Sequence, residues 1–116
     1  MQRRSFLAAA AATLAAPAVF AQGGKLTPLK FTLDFRINGQ TAPFFLALAK
    51  GYYRDEGLDV SIDTGAGSVA SITRIASGVY QLGLGDISSL VEFNAQNSGT
   101  PVVQAVYQYY NRAPFV

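Results

Sequence analysis

Residues 41–63 read TAPFFLALAKGYYRDEGLDVSID, the pattern of a helix, a glycine stop and a strand. Pro43 stands where a first helical turn tolerates it, because the donor it lacks would be unpaired there anyway. Phe44, Phe45, Leu48, Ala49 and Tyr52 then recur near helical spacing. Gly57 offers the left-handed residue that commonly follows a helix end. Beyond it Leu58, Val60 and Ile62 alternate with Asp59, Ser61 and Asp63, the two-residue period of a strand.

The same pattern extends in both directions. Upstream, Leu29, Phe31, Leu33 and Phe35 alternate with Lys30, Thr32, Asp34 and Arg36, which predicts a first strand. Asn38-Gly39 tips the following loop. The dipeptide suits a hairpin, but helical spacing resumes five residues later and favours a strand-to-helix connection. Downstream, Thr64 to Ser68 forms a second loop. Val69, Ile72, Ile75, Ala76 and Val79 mark one face of a helix with Gly78 near its end. Tyr80 to Gly85 reads as a short strand, and Asp86 or Ser88 caps a helix running to about Asn97, with Leu90, Val91 and Phe93 free to pack. Residues 97–101 break that helix, and Val102 to Tyr109 predicts a fourth strand.

Strands alternating with helices of this length predict an α/β fold, β-α-β-α-β-α-β, around a mostly parallel sheet. Arg112 to Val116 reads as a turn feeding another strand. The expectation is therefore the N-terminal part of a lobe at residues 29–116, incomplete, with sheet edges that invite association.

The first 21 residues stand apart. Arg3 and Arg4 precede an apolar run from Phe6 to Ala16, and small residues lead to Ala21, the layout of a signal peptide. The run is short of the roughly 20 apolar residues that a membrane span needs. Arg3-Arg4-Ser5-Phe6-Leu7 resembles the twin-arginine export motif, although two arginines also suit the general secretory route. A periplasmic location follows, with no stable membrane insertion after cleavage and a flexible mature start over 22–28.

Export alters the charge balance. The chain has nine Lys and Arg against seven Asp and Glu. Two of the nine are Arg3 and Arg4, so the remainder is formally neutral and no basic patch points to nucleic acid. The chain contains neither cysteine nor histidine. That removes disulfides, thiol chemistry, and the commonest metal ligand and general base. No metal or cofactor is expected.

In open α/β sheets the ligand crevice lies beyond the carboxyl ends of the strands. Gly65 and Gly67 would let backbone approach a ligand there, with Ser68 offering a hydroxyl and helix amides receiving an anion or carbonyl. Equally, the glycines serve tight turns and Ser68 caps its helix. The stretch lacks both the dinucleotide fingerprint and the Walker lysine. Asp86 either caps its helix or forms a polar wall. Tyr107, Tyr109 and Tyr110 either stack on a flat ligand or pack against helices. Arg36 could bind a carboxylate or sulfonate, or pair with Asp34 or Asp63. Asp55-Glu56 reads as a solvated helix end.

Ala42 to Val60, with Lys50-Gly51-Tyr52-Tyr53 and Glu56-Gly57-Leu58-Asp59-Val60, resembles the solute-binding proteins of ABC importers. The nearest group binds nitrate, sulfonates, taurine and thiamine pyrimidine precursors. The likeness continues through Gly65-Ala66-Gly67-Ser68, Arg74 to Gly78 and Gly83-Leu84-Gly85-Asp86, and spans Leu29 to Tyr110. It implies a two-lobed, type II periplasmic-binding fold. It also implies that Asn38, Gln40, Thr41, Gly65, Gly67, Ser68, Asp86, Ser88 and Tyr107 line one side of a cleft. The partners implied are a small solute and a membrane permease, and the role is capture without catalysis. A periplasmic sensor is an alternative. A pyrimidine-synthase-like enzyme fits poorly, since such relatives use His and a Cys-rich site.

Cleavage after Ala21 would leave periplasmic protein beginning at Gln22, which N-terminal sequencing reads directly. Changing Arg3-Arg4 to Lys-Lys is expected to abolish export; unaltered export would assign the general secretory route.

Overall fold

The computed structural model describes residues 24–99 and 103–112; the signal peptide expected over 1–21 lies outside the described residues. Strand β1 (Thr27–Thr32) occupies the middle of a three-stranded sheet. It pairs in parallel with β2 (Leu58–Asp63), from Thr27 opposite Leu58 to Thr32 opposite Asp63. On its other edge it pairs in parallel with β3 (Leu82–Gly83), Phe31 opposite Leu82 and Thr32 opposite Gly83. Between the strands lie a 3-10 turn (Gly39–Thr41), α1 (Ala42–Ala49), α2 (Tyr52–Asp55) and α3 (Ser68–Ala76), and α4 (Ile87–Gln96) follows β3. The alternating α/β order and parallel sheet match the expectation from the sequence.

Successive side chains of β1 point to opposite faces, and each face has its own cover. Phe31 meets Phe44 of α1 with ring centroids 5.1 Å apart. Thr32 faces α3, where Arg74 Nη1 donates to its hydroxyl at 3.2 Å. Thr32 and Leu33 are both fully buried. A polar residue of the predicted outer face thus lies in the core at the carboxyl end of the strand, where α3 covers that face, whereas Lys30 on the same face is exposed. Ser71 is also fully buried and donates to the carbonyl of Leu84 at 2.5 Å, which satisfies a polar group that would be costly to leave unpaired.

The structure corrects several predicted boundaries. β1 starts at Thr27, whose amide donates to Gly57 O at 2.9 Å. It ends at Thr32, and Phe35 is 56% exposed in the loop beyond. The single helix predicted up to Gly57 is broken at Gly51, which has φ +78°. Tyr53 Oη bridges the break, donating to Phe44 O at 3.3 Å, while Gly57 (φ +76°) makes the expected stop. Of the residues at helical spacing, Leu48 on α1 and Tyr52 on α2 are exposed, whereas Phe44 and Phe45 are half-buried. On α3 Ile72 is buried but Val69 is exposed, as are Val79 beyond the end of that helix and Val91 on α4.

The predicted fourth strand is not formed over its described residues, 103–109. β3 has only two residues with which to extend the sheet. Residue 103 is instead held by a side chain that imitates a strand rung. Asn94 Nδ2 donates to Val103 O at 2.9 Å, and Val103 N donates to Asn94 Oδ1 at 3.3 Å.

The two crossovers meet where β1 and β2 end. There the backbone of Gly65 lies so close to β1 that an added Cβ would fall 2.8 Å from the carbonyl carbon of Leu33. Gly65→Ala is expected to destabilise the fold by about 1–3 kcal/mol through overpacking against immovable backbone, read as a lower urea midpoint. An unaltered midpoint would mean that the two loops separate without cost.

Candidate functional site

Beyond the carboxyl ends of the strands three loops converge: residues 33–41 after β1, 64–67 after β2, and 84–86 after β3. They are tied to one another mainly by backbone. Gly65 N donates to Phe35 O at 3.1 Å, and Gly67 N donates to Asp34 O at 2.6 Å. Asp86 N donates to Ser68 Oγ at 3.0 Å. Asp86 Oδ2 in turn accepts from Ser89 N at 3.0 Å, capping α4 with a charge suited to a helix N-terminus.

These bonds decide what each candidate residue can still do. The amides of Gly65 and Gly67 are spent on β1-loop carbonyls and do not point at a ligand. At Gly67, however, a Cβ would meet nothing within 4 Å, so the space on its Cα side is open. Its φ of +116° is a conformation that glycine adopts readily and L side chains do not. α3, which starts at the next residue, has no side-chain cap, so its first-turn amides have no capping side chain to satisfy them. The Ser68 hydroxyl accepts from Asp86 and retains its own proton to donate.

On the other wall, Asn38 Oδ1 accepts from Gln40 N at 2.9 Å. Thr41 is buried at 4% exposure. Its hydroxyl donates to Asn38 O at 2.9 Å and accepts from Asn38 N at 3.1 Å. Thr41 therefore shapes the turn and has no proton left to donate to a ligand, whereas the Gln40 side chain is exposed. Ser88 is exposed in the first turn of α4. Tyr107 is 82% exposed. It is Tyr109 that reaches this wall, its hydroxyl donating to Gln40 O at 2.9 Å. The sequence marked Tyr109 only as one of three tyrosines with a choice between stacking and packing.

Charges around the crevice are mixed. The Arg36 guanidinium lies 5.9 Å from the centroid of the Phe35 ring. Asp63 accepts from the Tyr80 hydroxyl at 3.0 Å; that bond, with burial and the carboxylate charge, holds the Tyr80 pKa above the ordinary phenol value. Arg74 braces the back of the site. Its Nη1 donates to Thr64 O at 2.9 Å as well as to Thr32, and its guanidinium lies 5.6 Å from the Tyr80 ring centroid. Nothing in the local sequence distinguishes Arg74 from any other last-turn cation. Among the described residues there is no cluster of three or more metal-ligating side chains, and no helix is long and apolar enough to cross a membrane.

A family model described as NMT1/THI5 like matches residues 38–116, from the Asn38 turn onward. The chain belongs to the NMT1/THI5-like family. This supports a solute-binding role at the family level, and family members are typically periplasmic. The match includes the Asn38–Thr41 turn, the Gly65–Ser68 loop and the Asp86 cap, and β1 precedes it. No curated protein and no solved structure matches the chain.

Ser68→Ala leaves the Asp86 amide without its partner. It is expected to lower stability by about 0.5–1.5 kcal/mol, the net worth of a neutral hydrogen bond, measured by urea unfolding. An undiminished midpoint would show that the tie between the α3 and α4 loops contributes nothing.

Proposed function

We propose that this protein is the periplasmic solute-binding subunit of an ABC importer, capturing a small solute and handing it to a membrane permease. The observation that carries the reading is the uncapped N-terminus of α3 beside the open space over Gly67, within three loops that already satisfy one another. Such a site is preformed: its walls need no ligand to hold them, which limits the ordering cost of binding. First-turn amides and the Ser68 hydroxyl supply donors to a carbonyl, ring nitrogen or oxyanion. Phe35 and Ile37, both more than half exposed on the loop after β1, add apolar surface for a flat organic part.

The mixed charge favours a heteroaromatic solute of the thiamine pyrimidine precursor type over a strongly charged sulfonate or nitrate. Asp34 and Asp86 stand on the same set of loops as Arg36, so an anionic solute meets carboxylates there as well as a guanidinium. The reading is one of binding without catalysis. Ser68 is engaged by a backbone amide, and Asp86 is occupied as a cap, so neither is set up as a nucleophile or base.

Titration calorimetry of the mature protein with an aminopyrimidine, taurine and nitrate tests the reading. The aminopyrimidine is expected to bind most tightly. Gly67→Val is expected to weaken that binding by more than tenfold, since its side chain would occupy the open space. Parental affinity in a Gly67→Val protein that merely melts earlier would place the solute elsewhere.

A further inference from the structure

The segment 103–112 has no regular secondary structure, yet side chains hold it at two points. The first is the two-way bond between Asn94 and Val103 described above. The second is Tyr109. Its ring lies 5.3 Å from Phe44 of α1, and Phe44 lies 5.1 Å from Phe31 of β1. The outer side of the Tyr109 ring carries Tyr110 edge-on at 4.4 Å. A line of aromatic rings thus runs from the central strand to the tail. Between the two anchors Val106 and Tyr107 are 79% and 82% exposed, so little else fastens the segment.

Stacking alone does not require a hydroxyl; phenylalanine would fill the same place with the same ring contacts. The hydroxyl adds a directional bond to Gln40 O, across 69 residues of chain. Gln40 lies in the 3-10 turn whose other hydrogen bonds are local. Asn38 and Thr41 close it on themselves, which sets its internal shape but not its attitude to the crevice. The phenol is the tie that reaches the turn from a distant part of the chain. Aromatic contact places the hydroxyl, and the hydroxyl orients the turn.

We propose that Tyr109 is a positioning residue, which through Gln40 sets the orientation of the Asn38–Thr41 turn toward the solute and so couples the 103–112 segment to affinity. The second half of that statement rests on the solute-binding function proposed above; the first half stands on the geometry alone. Tyr109 itself does not touch the solute. Its effect is transmitted by the backbone of Gln40, which places the exposed Asn38 and Gln40 side chains.

Two variants and two readouts test this. Tyr109→Phe keeps the stack and deletes the bond; Tyr109→Ala deletes both. Hydrogen exchange at the Gln40 and Thr41 amides reads the turn without any ligand. In Tyr109→Phe it is expected to quicken about 2- to 10-fold, as for the loss of one ordinary hydrogen bond, while the thermal midpoint hardly moves. Aminopyrimidine affinity is expected to weaken by a similar factor in Tyr109→Phe and further in Tyr109→Ala. Parental exchange in Tyr109→Phe, with only Tyr109→Ala melting earlier, would overturn the proposal and leave Tyr109 a packing residue. Quickened exchange with unaltered aminopyrimidine affinity would overturn the coupling to binding. If none of the three compounds binds even the parent protein, the solute-binding reading fails, and the exchange result still decides whether Tyr109 orients the turn.

Discussion

β1 has a hydrogen-bonded neighbour along each edge and a helix across each face, and this enclosure governs what surrounds it. Burial on both sides gives Thr32 and Leu33 no access to solvent. Every polar group brought inward with them must then find a protein partner. Arg74 and Ser71, both on α3, supply two of those partnerships. Glycine at positions 65 and 83 permits the approach of neighbouring backbone to β1. At Gly83 a Cβ would lie 2.7 Å from Thr32 O. The parallel sheet is narrow, and its burial is concentrated at the carboxyl end of β1, where Thr32 and Leu33 meet Ser71 and Ile72 among the buried residues.

The crevice inherits its form from that centre. Since β1, β2 and β3 run in parallel, their carboxyl ends and the loops that follow lie together. Those loops have more donors and acceptors than regular structure leaves satisfied. They answer one another: Gly65 and Gly67 donate to the β1 loop, and Asp86 donates to Ser68. The first turn of α3 is left without a side-chain cap, and the Gln40 and Ser88 side chains are exposed on the neighbouring loops.

The tail shows the same economy with different means. A segment that cannot join a two-residue strand is fastened by side chains, Asn94 acting in place of backbone and Tyr109 in place of a rung. Aromatic stacking supplies contact area at modest entropic cost, because a ring has only two side-chain torsions to fix. The polar end of Tyr109 then converts a nonspecific contact into one that prefers a single register.

As far as α4, element types and their order were legible in the sequence because they depend on local periods and local stops; the strand expected over Val102 to Tyr109 does not form over its described residues. Alternation from Leu58 to Asp63, the glycine at 57 and the Asp86 cap each act within a few residues of chain. The family pattern in residues 42–60 was legible for the same reason. Tertiary structure decided which face of each helix is buried, as the outward Val69 and inward Ser71 show, since burial depends on a partner distant in sequence. It also decided that α1 breaks at Gly51, that the Gly65 and Gly67 amides serve the β1 loop, and that Tyr109 rather than Tyr107 reaches Gln40. Each of those is a hydrogen bond, a ring contact or a dihedral angle set by a surface the local chain does not contain.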